Sequence, residues 1–200
     1  MKKTGILGGT FDPFHNGHMN IAYESLYRLK LDEIIFMPAG NPPHKTDKII
    51  TSPEIRYDMI KKSISGEKNF KVSHYEIDKK GYSYTYKTLE YINSVEKDAE
   101  LFFITGVDCL MYVDEWKCPE QIFKNSNFVV FNRPGYDRNN IIKKKDEIEQ
   151  KYKNKIIFID IPLLDISSTE IREKVKKCEE IKYLVPREVY DIIKINKLYI

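Results

Sequence analysis

Two hundred residues, 42% apolar and 32% charged, are enough for one ordinary α/β core. No run approaches the roughly 18 consecutive apolar residues of a membrane-spanning helix. A net charge of +3, dispersed along the chain, is too small to argue for nucleic acid and is compatible with small phosphorylated ligands. Cys109, Cys118 and Cys178 are odd in number and lack metal-ligand spacing, which points to free thiols in a reducing cytoplasm. Met1-Lys2-Lys3 leads directly into an apolar strand, so no signal peptide is expected.

The first strand is predicted over Thr4 to Leu7, followed by two glycines and a helix whose Met19, Ala22, Leu26 and Leu29 share one face. Glu33 to Met37 reads as a second, buried strand ending in the proline-rich loop Pro38 to Lys45. A helix begins near Pro53, with Ile55, Met59 and Ile60 inward. Phe70 to Ile77 alternates as a third strand, with His74 inside it as a structural residue. Gly81-Tyr82-Ser83 turns into a helix from Thr85 to Ser94 carrying Leu89 and Ile92. Leu101–Ile104, Phe128–Phe131 and Ile156–Ile159 complete six strands. Apolar strands alternating with amphipathic helices predict a Rossmann-like, doubly wound, mainly parallel sheet covered on both faces. The expected organisation is one domain over residues 1–200, with a helical segment from about 167 to 200 packed on it. The acidic-basic segment Asn139 to Lys155, with its Lys143-Lys144-Lys145 run, reads as a solvated helix face.

Ligands of such sheets bind beyond the carboxyl ends of the strands. That rule selects Gly8-Gly-Thr-Phe-Asp-Pro-Phe-His-Asn-Gly-His18. Strand, glycine turn and helix N-terminus in that order present backbone N–H groups and a favourable dipole to a phosphate. Gly8 and Gly9 allow close approach, and His15 and His18, three apart, can converge on one anion. Two histidines at a helix start also serve as ordinary polar caps. Neither Gly-x-Gly-x-x-Gly nor Gly-x-x-x-x-Gly-Lys-Ser/Thr follows the strand, so this is neither a dinucleotide fingerprint nor a P-loop.

Asp165-Ile-Ser-Ser-Thr-Glu-Ile-Arg172 predicts a second anion site. Ser167 and Glu170 fit a capping box, with Ile171, Val175 and Cys178 as the buried stripe. Ser168 and Arg172, four apart, direct a hydroxyl and a guanidinium toward the same region above the helix start. Read alone, this string is also an N-capped helix with a surface arginine.

Together the two strings resemble the nucleotidyltransferase superfamily that carries His-x-Gly-His. The Gly-Gly-Thr-Phe-Asp-Pro form and Ile-Ser-Ser-Thr-x-Ile-Arg (Ile166 to Arg172) look most like the bacterial nicotinate-nucleotide adenylyltransferases. Gly106-Val107-Asp108 resembles the family's Gly-Ala-Asp, with valine for alanine, and Pro43-His44-Lys45 and Arg56 resemble its substrate loop. The resemblance implies ATP contacts from Gly8, Gly9, Thr10, Phe11, His15 and His18, from Gly106 and Asp108, and from Ser167, Ser168, Thr169 and Arg172. It implies mononucleotide contacts from Lys45, Tyr84, Thr85, Trp116 and Arg133: backbone amides at Tyr84-Thr85, ring stacking by Trp116, and an arginine beside the dinucleotide.

The implied reaction joins nicotinate mononucleotide to ATP, giving deamido-NAD and pyrophosphate. A phosphate nucleophile needs no general base, so the task is to hold two polyanions and stabilise the transition-state charge. The resemblance gives His18 the α-phosphate, with His15 beside it, and gives Ser168 and Arg172 the β- and γ-phosphates. His15, His18 and Arg172 are therefore the expected catalytic residues. Mg²⁺ is expected mainly on ATP oxygens and water, since no carboxylate cluster suggests a protein cage. Asp108 fits a ribose acceptor or a helix cap. Nicotinamide mononucleotide and pantetheine phosphate are the rival acceptors, and a silent nucleotide-binding module is the alternative of a different class. No nucleic-acid or membrane partner is expected, and the sequence leaves room for a homo-oligomer.

Overall fold

The computed structural model describes residues 1–42, 50–132, 137–162 and 164–200. Six parallel strands, β1 (Lys2–Gly9), β2 (Glu33–Pro38), β3 (Phe70–Val72), β4 (Ala99–Gly106), β5 (Asn127–Phe131) and β6 (Ile156–Ile159), form one sheet in the order β3-β2-β1-β4-β5-β6. The chain winds outward from β1 to β3, then returns to place β4 against β1, with Ile6 opposite Phe103 and Leu7 opposite Ile104. This reversal opens a crevice beyond the carboxyl ends of β1 and β4.

Alternation along each strand divides the core in two. Leu7, Phe36, Phe102, Ile104 and Val129 face one layer, packed with α1 (Asn16–Arg28), α2 (Pro53–Ser63), α8 (Ser168–Lys176) and α9 (Arg187–Ile195). Ile6, Ile35, Met37, Phe103 and Val130 face the other, packed with α4 (Thr85–Val95), α5 (Val107–Tyr112), α6 (Pro119–Asn125) and α7 (Arg138–Tyr152). Both faces are covered, which is why the central strands are apolar at successive positions rather than alternating with polar residues. The last helix, α9, lies against α2 and buries Val189, Ile192 and Ile193.

Five expectations need correcting. The strand predicted over Phe70 to Ile77 stops at Val72, and Tyr75–Asp78 forms a short helix, α3. As the edge strand, β3 pairs only with β2. Ser73 then turns the chain, its N–H bonding Phe36 O and its Oγ accepting from Tyr75 N–H at 3.3 Å. His74 is therefore the residue before α3, not a strand residue. Cys178 is exposed beyond the end of α8, because the chain reverses there at a φ of 57°. Arg56 lies behind the β1 and β2 exits, only 1% exposed, with its guanidinium bonded to the main-chain carbonyls of Thr51, Thr10 and Ala39 and, at 3.5 Å, of Gly40. The lysine run is not wholly solvated: Lys144 and Lys151 of α7 both reach Asp114, at 2.8 and 2.6 Å.

Candidate active site

The turn after β1 is held in an unusual conformation. Phe11 has a φ of 53°, a region that costs a non-glycine residue about 1–2 kcal/mol. Burial offsets this cost: the Phe11 ring is 3% exposed and packs edge-on against Phe14, Phe36 and His18. Gly9 has no Cβ, and one placed there would meet the Phe11 ring at 3.0 Å. The peptide between Asp12 and Pro13 is cis.

His15 is the N-cap of α1 and His18 occupies its third position. Their rings stack with centroids 3.6 Å apart and planes 23° from parallel, so the two imidazoles lie side by side at the helix start. The His15 N–H donates to His18 Nδ1 at 3.2 Å. A neutral imidazole that accepts at Nδ1 carries its proton on Nε2, so the helix cap selects the tautomer that presents Nε2–H as a donor. Phe14 also stacks on His18, at 5.4 Å and 17° from parallel, which helps to fix the ring plane. Gly17 is also required here, because a Cβ would lie 3.0 Å from His15 Nδ1.

The late string meets this turn directly. Ser168 Oγ donates to Pro13 O at 2.9 Å and Arg172 Nη1 to Asp12 O at 2.7 Å, across 155 and 160 residues of sequence. Ser167 caps α8 by accepting the Glu170 N–H at 3.1 Å, while the Glu170 carboxylate faces Lys174 at 3.9 Å rather than turning back to the cap. Since the Ser168 hydroxyl hydrogen points at Pro13 O, this end can offer an anion the α8 backbone N–H groups and the rest of the Arg172 fork. Arg172 Nη2 also reaches Thr169 Oγ1 at 3.2 Å.

One polar cavity of about 420 Å³ is lined by Gly8 to Asp12, His15, His18, Gly106, Asp108, Ser167, Ser168, Thr169 and Arg172. Asp108 lies in the first turn of α5, whose N-cap is Gly106, so Asp108 is not itself the cap. A second cavity of similar volume, more apolar, is lined by Met37, Glu76, Ser83, Tyr84, Thr85, Thr88, Leu89, Phe103, Trp116 and Lys117. Trp116 is half-buried, its ring edge-on to Phe103 at 6.2 Å. Tyr84 is the N-cap of α4 and Thr85 its first residue, so a helix start opens onto this apolar cavity. Gly8, Gly9, Thr10, Thr105 and Cys109 line both cavities, so the two meet where β1 and β4 end.

Comparison with known proteins decides the family. A profile of cytidylyltransferase-like proteins matches residues 6–174. A nicotinate-nucleotide adenylyltransferase of Clostridium novyi is 55% identical over 199 residues, covering all of both chains, and one of Clostridium tetani is 53% identical with the same coverage. The chain belongs to the nicotinate-nucleotide adenylyltransferase family. Its fold matches the Plasmodium falciparum nicotinic acid mononucleotide adenylyltransferase solved with NaAD, at a TM-score of 0.79 and 22% identity over 100% of this chain and 98% of that one. The same Plasmodium protein complexed with APC gives a TM-score of 0.76 at the same identity and coverage.

Within this family framework the structure brings together every described residue proposed for ATP, and places Tyr84, Thr85 and Trp116 around the adjoining cavity. Lys45 and Arg133 lie outside the described residues, as do Pro43 and His44. Arg56 lines neither of these two cavities. Sequence reasoning missed Asp12 as a junction, Tyr199 as its partner, and Glu76 with Thr88 in the second cavity wall. Asp12 stood within the early string. Nothing local marked Glu76, because its partners are 7 and 12 residues away across a turn.

Proposed function

We propose that this chain transfers adenylate from ATP to nicotinate mononucleotide, releasing pyrophosphate and forming deamido-NAD. The observation that carries the reading is the junction of a polar and an apolar cavity over Gly8–Thr10, in a chain of this family. A triphosphate in the polar cavity and a mononucleotide in the apolar one would bring their phosphates together at the strand ends. The whole of 1–200 acts as one transferase domain in this reading, because α8 and α9 share the core of the sheet.

In the proposed step the mononucleotide phosphate oxygen attacks the α-phosphorus in line, one P–O bond forms, and the bond to the bridging α,β-oxygen breaks. His18 Nε2–H donates to the α-phosphate oxygen as negative charge builds there, with His15 beside it. The leaving pyrophosphate collects its charge against Arg172 and the α8 N-terminus, with Ser167, Ser168 and Thr169 contributing backbone N–H groups. Asp108 accepts from a ribose hydroxyl. Thr85 and Tyr84, at the start of α4, face the pyridine carboxylate, and Trp116 covers the ring. Lys45 and Arg133 would add positive charge.

Among the described residues no group of three or more His, Cys, Asp or Glu is placed to hold a metal ion. The Asp12 carboxylate is already engaged by the Tyr199 hydroxyl and the Thr51 N–H. This donor set would leave a Mg²⁺ ion to ATP oxygens and water, and the ion would supply charge neutralisation for the leaving pyrophosphate. Three free cysteines support a cytoplasmic setting. Steady-state assays of pyrophosphate release with nicotinate mononucleotide, nicotinamide mononucleotide and pantetheine phosphate test the reading. Nicotinate mononucleotide should give the highest kcat/KM and deamido-NAD as product; preference for either rival acceptor, or ATP binding without pyrophosphate release, overturns it.

A further inference from the structure

Glu76 is a carboxylic acid buried in the wall of the apolar cavity, 8% exposed, and the reaction outlined above makes no use of it. Its Oε1 accepts the Thr88 hydroxyl at 2.5 Å. The Ser83 hydroxyl is its second side-chain partner, and burial pushes the Glu76 carboxyl above the ordinary range, against the opposing pull of these two bonds. Ser83 Oγ in turn accepts the N–H groups of Gly40 and Asn41 at 3.1 and 3.3 Å, and the Ser83 N–H donates to Asn41 O at 2.9 Å. Gly40 lies so tightly on the Glu76 main chain that a Cβ there would collide with Glu76 O.

The two hydroxyls that Glu76 holds flank the start of α4. Ser83 precedes Tyr84, the N-cap, and Thr88 lies one turn into the helix, where its N–H and its Oγ both reach Tyr84 O. One buried carboxyl thus fixes both sides of the segment whose first-turn N–H groups have no intrahelical acceptor. The exit loop of β2 is tied to the same point. A buried acid is costly to keep unless it is satisfied, and here two hydroxyl bonds satisfy it.

We propose that Glu76 is a positioning residue for acceptor selectivity: through Thr88 and Ser83 it sets the α4 N-terminus that receives the pyridine carboxylate. The inference rests on the proposed acceptor reaction and deepens it. A carboxylate gains from an aligned helix start and its N–H groups, whereas a neutral carboxamide gains far less. Loosening this segment should therefore cost nicotinate mononucleotide more than nicotinamide mononucleotide, and should leave the ATP cavity unaffected.

The test compares wild type with Thr88→Val, Glu76→Ala and Glu76→Gln, all confirmed as folded by circular dichroism. For Thr88→Val and Glu76→Ala, KM for nicotinate mononucleotide should rise roughly tenfold, with KM for ATP within about twofold of wild type. The ratio of kcat/KM between the two mononucleotides should fall by a similar factor. Glu76→Gln keeps the volume and one acceptor, and should lie much closer to wild type. If Glu76→Ala does not fold, Thr88→Val decides alone, since it removes one hydroxyl from an otherwise isosteric side chain. Equal losses for both mononucleotides, a parallel rise in KM for ATP, or no change in folded variants would overturn the proposal. Failure of wild type to adenylate nicotinate mononucleotide would instead overturn the reaction itself.

Discussion

The Tyr199 hydroxyl donates to Asp12 Oδ1 at 2.6 Å, joining residues 187 apart in sequence at the turn that carries the histidine pair. Asp12 is a junction. Its carboxylate takes Tyr199 and, at 3.3 Å, the Thr51 N–H, while its carbonyl takes Arg172. Burial of the Tyr199 phenol, reinforced by the nearby carboxylate, drives its pKa far above the usual tyrosine range, so it remains a donor at any working pH. Tyr199→Phe keeps the ring and removes the donor, leaving one oxygen of a carboxylate that is 6% exposed without it. It should cost about 1–3 kcal/mol in urea denaturation. It should also lower kcat/KM for ATP more than for the mononucleotide, because Arg172 hangs from the same residue. Unchanged stability and unchanged ATP kinetics would show that the bond contributes nothing.

His18→Ala should leave the fold intact and lower kcat by roughly 10²–10⁴, the scale of losing one oriented donor to the transition state. His18→Gln, whose amide nitrogen can stand near the Nε2 position, should retain more activity than alanine. Single-turnover measurement of pyrophosphate release separates this chemical step from product release. Near-normal turnover in a folded alanine variant would remove His18 from the mechanism.

Arg56 should behave as a fold residue. Its Nε, Nη1 and Nη2 donate to Thr51 O, Thr10 O and Ala39 O at 2.8, 2.7 and 2.7 Å, clamping the exits of β1 and β2 together. Burial draws its pKa down and the nearby Asp12 charge draws it back up. Arg56→Lys keeps the charge but cannot span three carbonyls, so it should destabilise by about 3–5 kcal/mol, the range for breaking a buried charged network. Thermal and urea unfolding check this. A variant with wild-type stability and only a raised KM would return Arg56 to a substrate role.

Stability should also carry a histidine signature. His74 bonds Glu54 at 2.9 Å and Asp78 at 2.7 Å, and these carboxylates raise its pKa above the ordinary 6.5, with Glu54 the larger cause. A raised histidine pKa means that the stabilisation is complete below about pH 6.5 and is lost as pH climbs through the folded-state value. NMR titration of His74 should give a value above 6.5. His74→Gln should flatten the fall in unfolding free energy over that interval. A titration at or below the ordinary value would remove the effect.

The sequence by itself determined the strand and helix alternation, the two strings proposed to bind phosphate and the family they resemble, because each is written in residues a few positions apart. The 3.6 and 2 periodicities, the cap residues and the glycine turns are local. It could not determine that Phe70 to Ile77 changes from strand to helix, because only the edge position of β3 ends the pairing there. Short α5 and α6 likewise fall below the length at which periodicity is legible. Tertiary structure alone decided which polar groups are spent on the protein itself. Ser168 bonds Pro13, Arg56 supports two strand exits, Tyr199 holds Asp12, and Glu76 holds Thr88. Each of these roles depends on a hydrogen bond, which forms only when donor and acceptor come within about 3 Å. Along the chain those partners stand from 12 to 187 residues apart, and only the winding of the sheet brings them together.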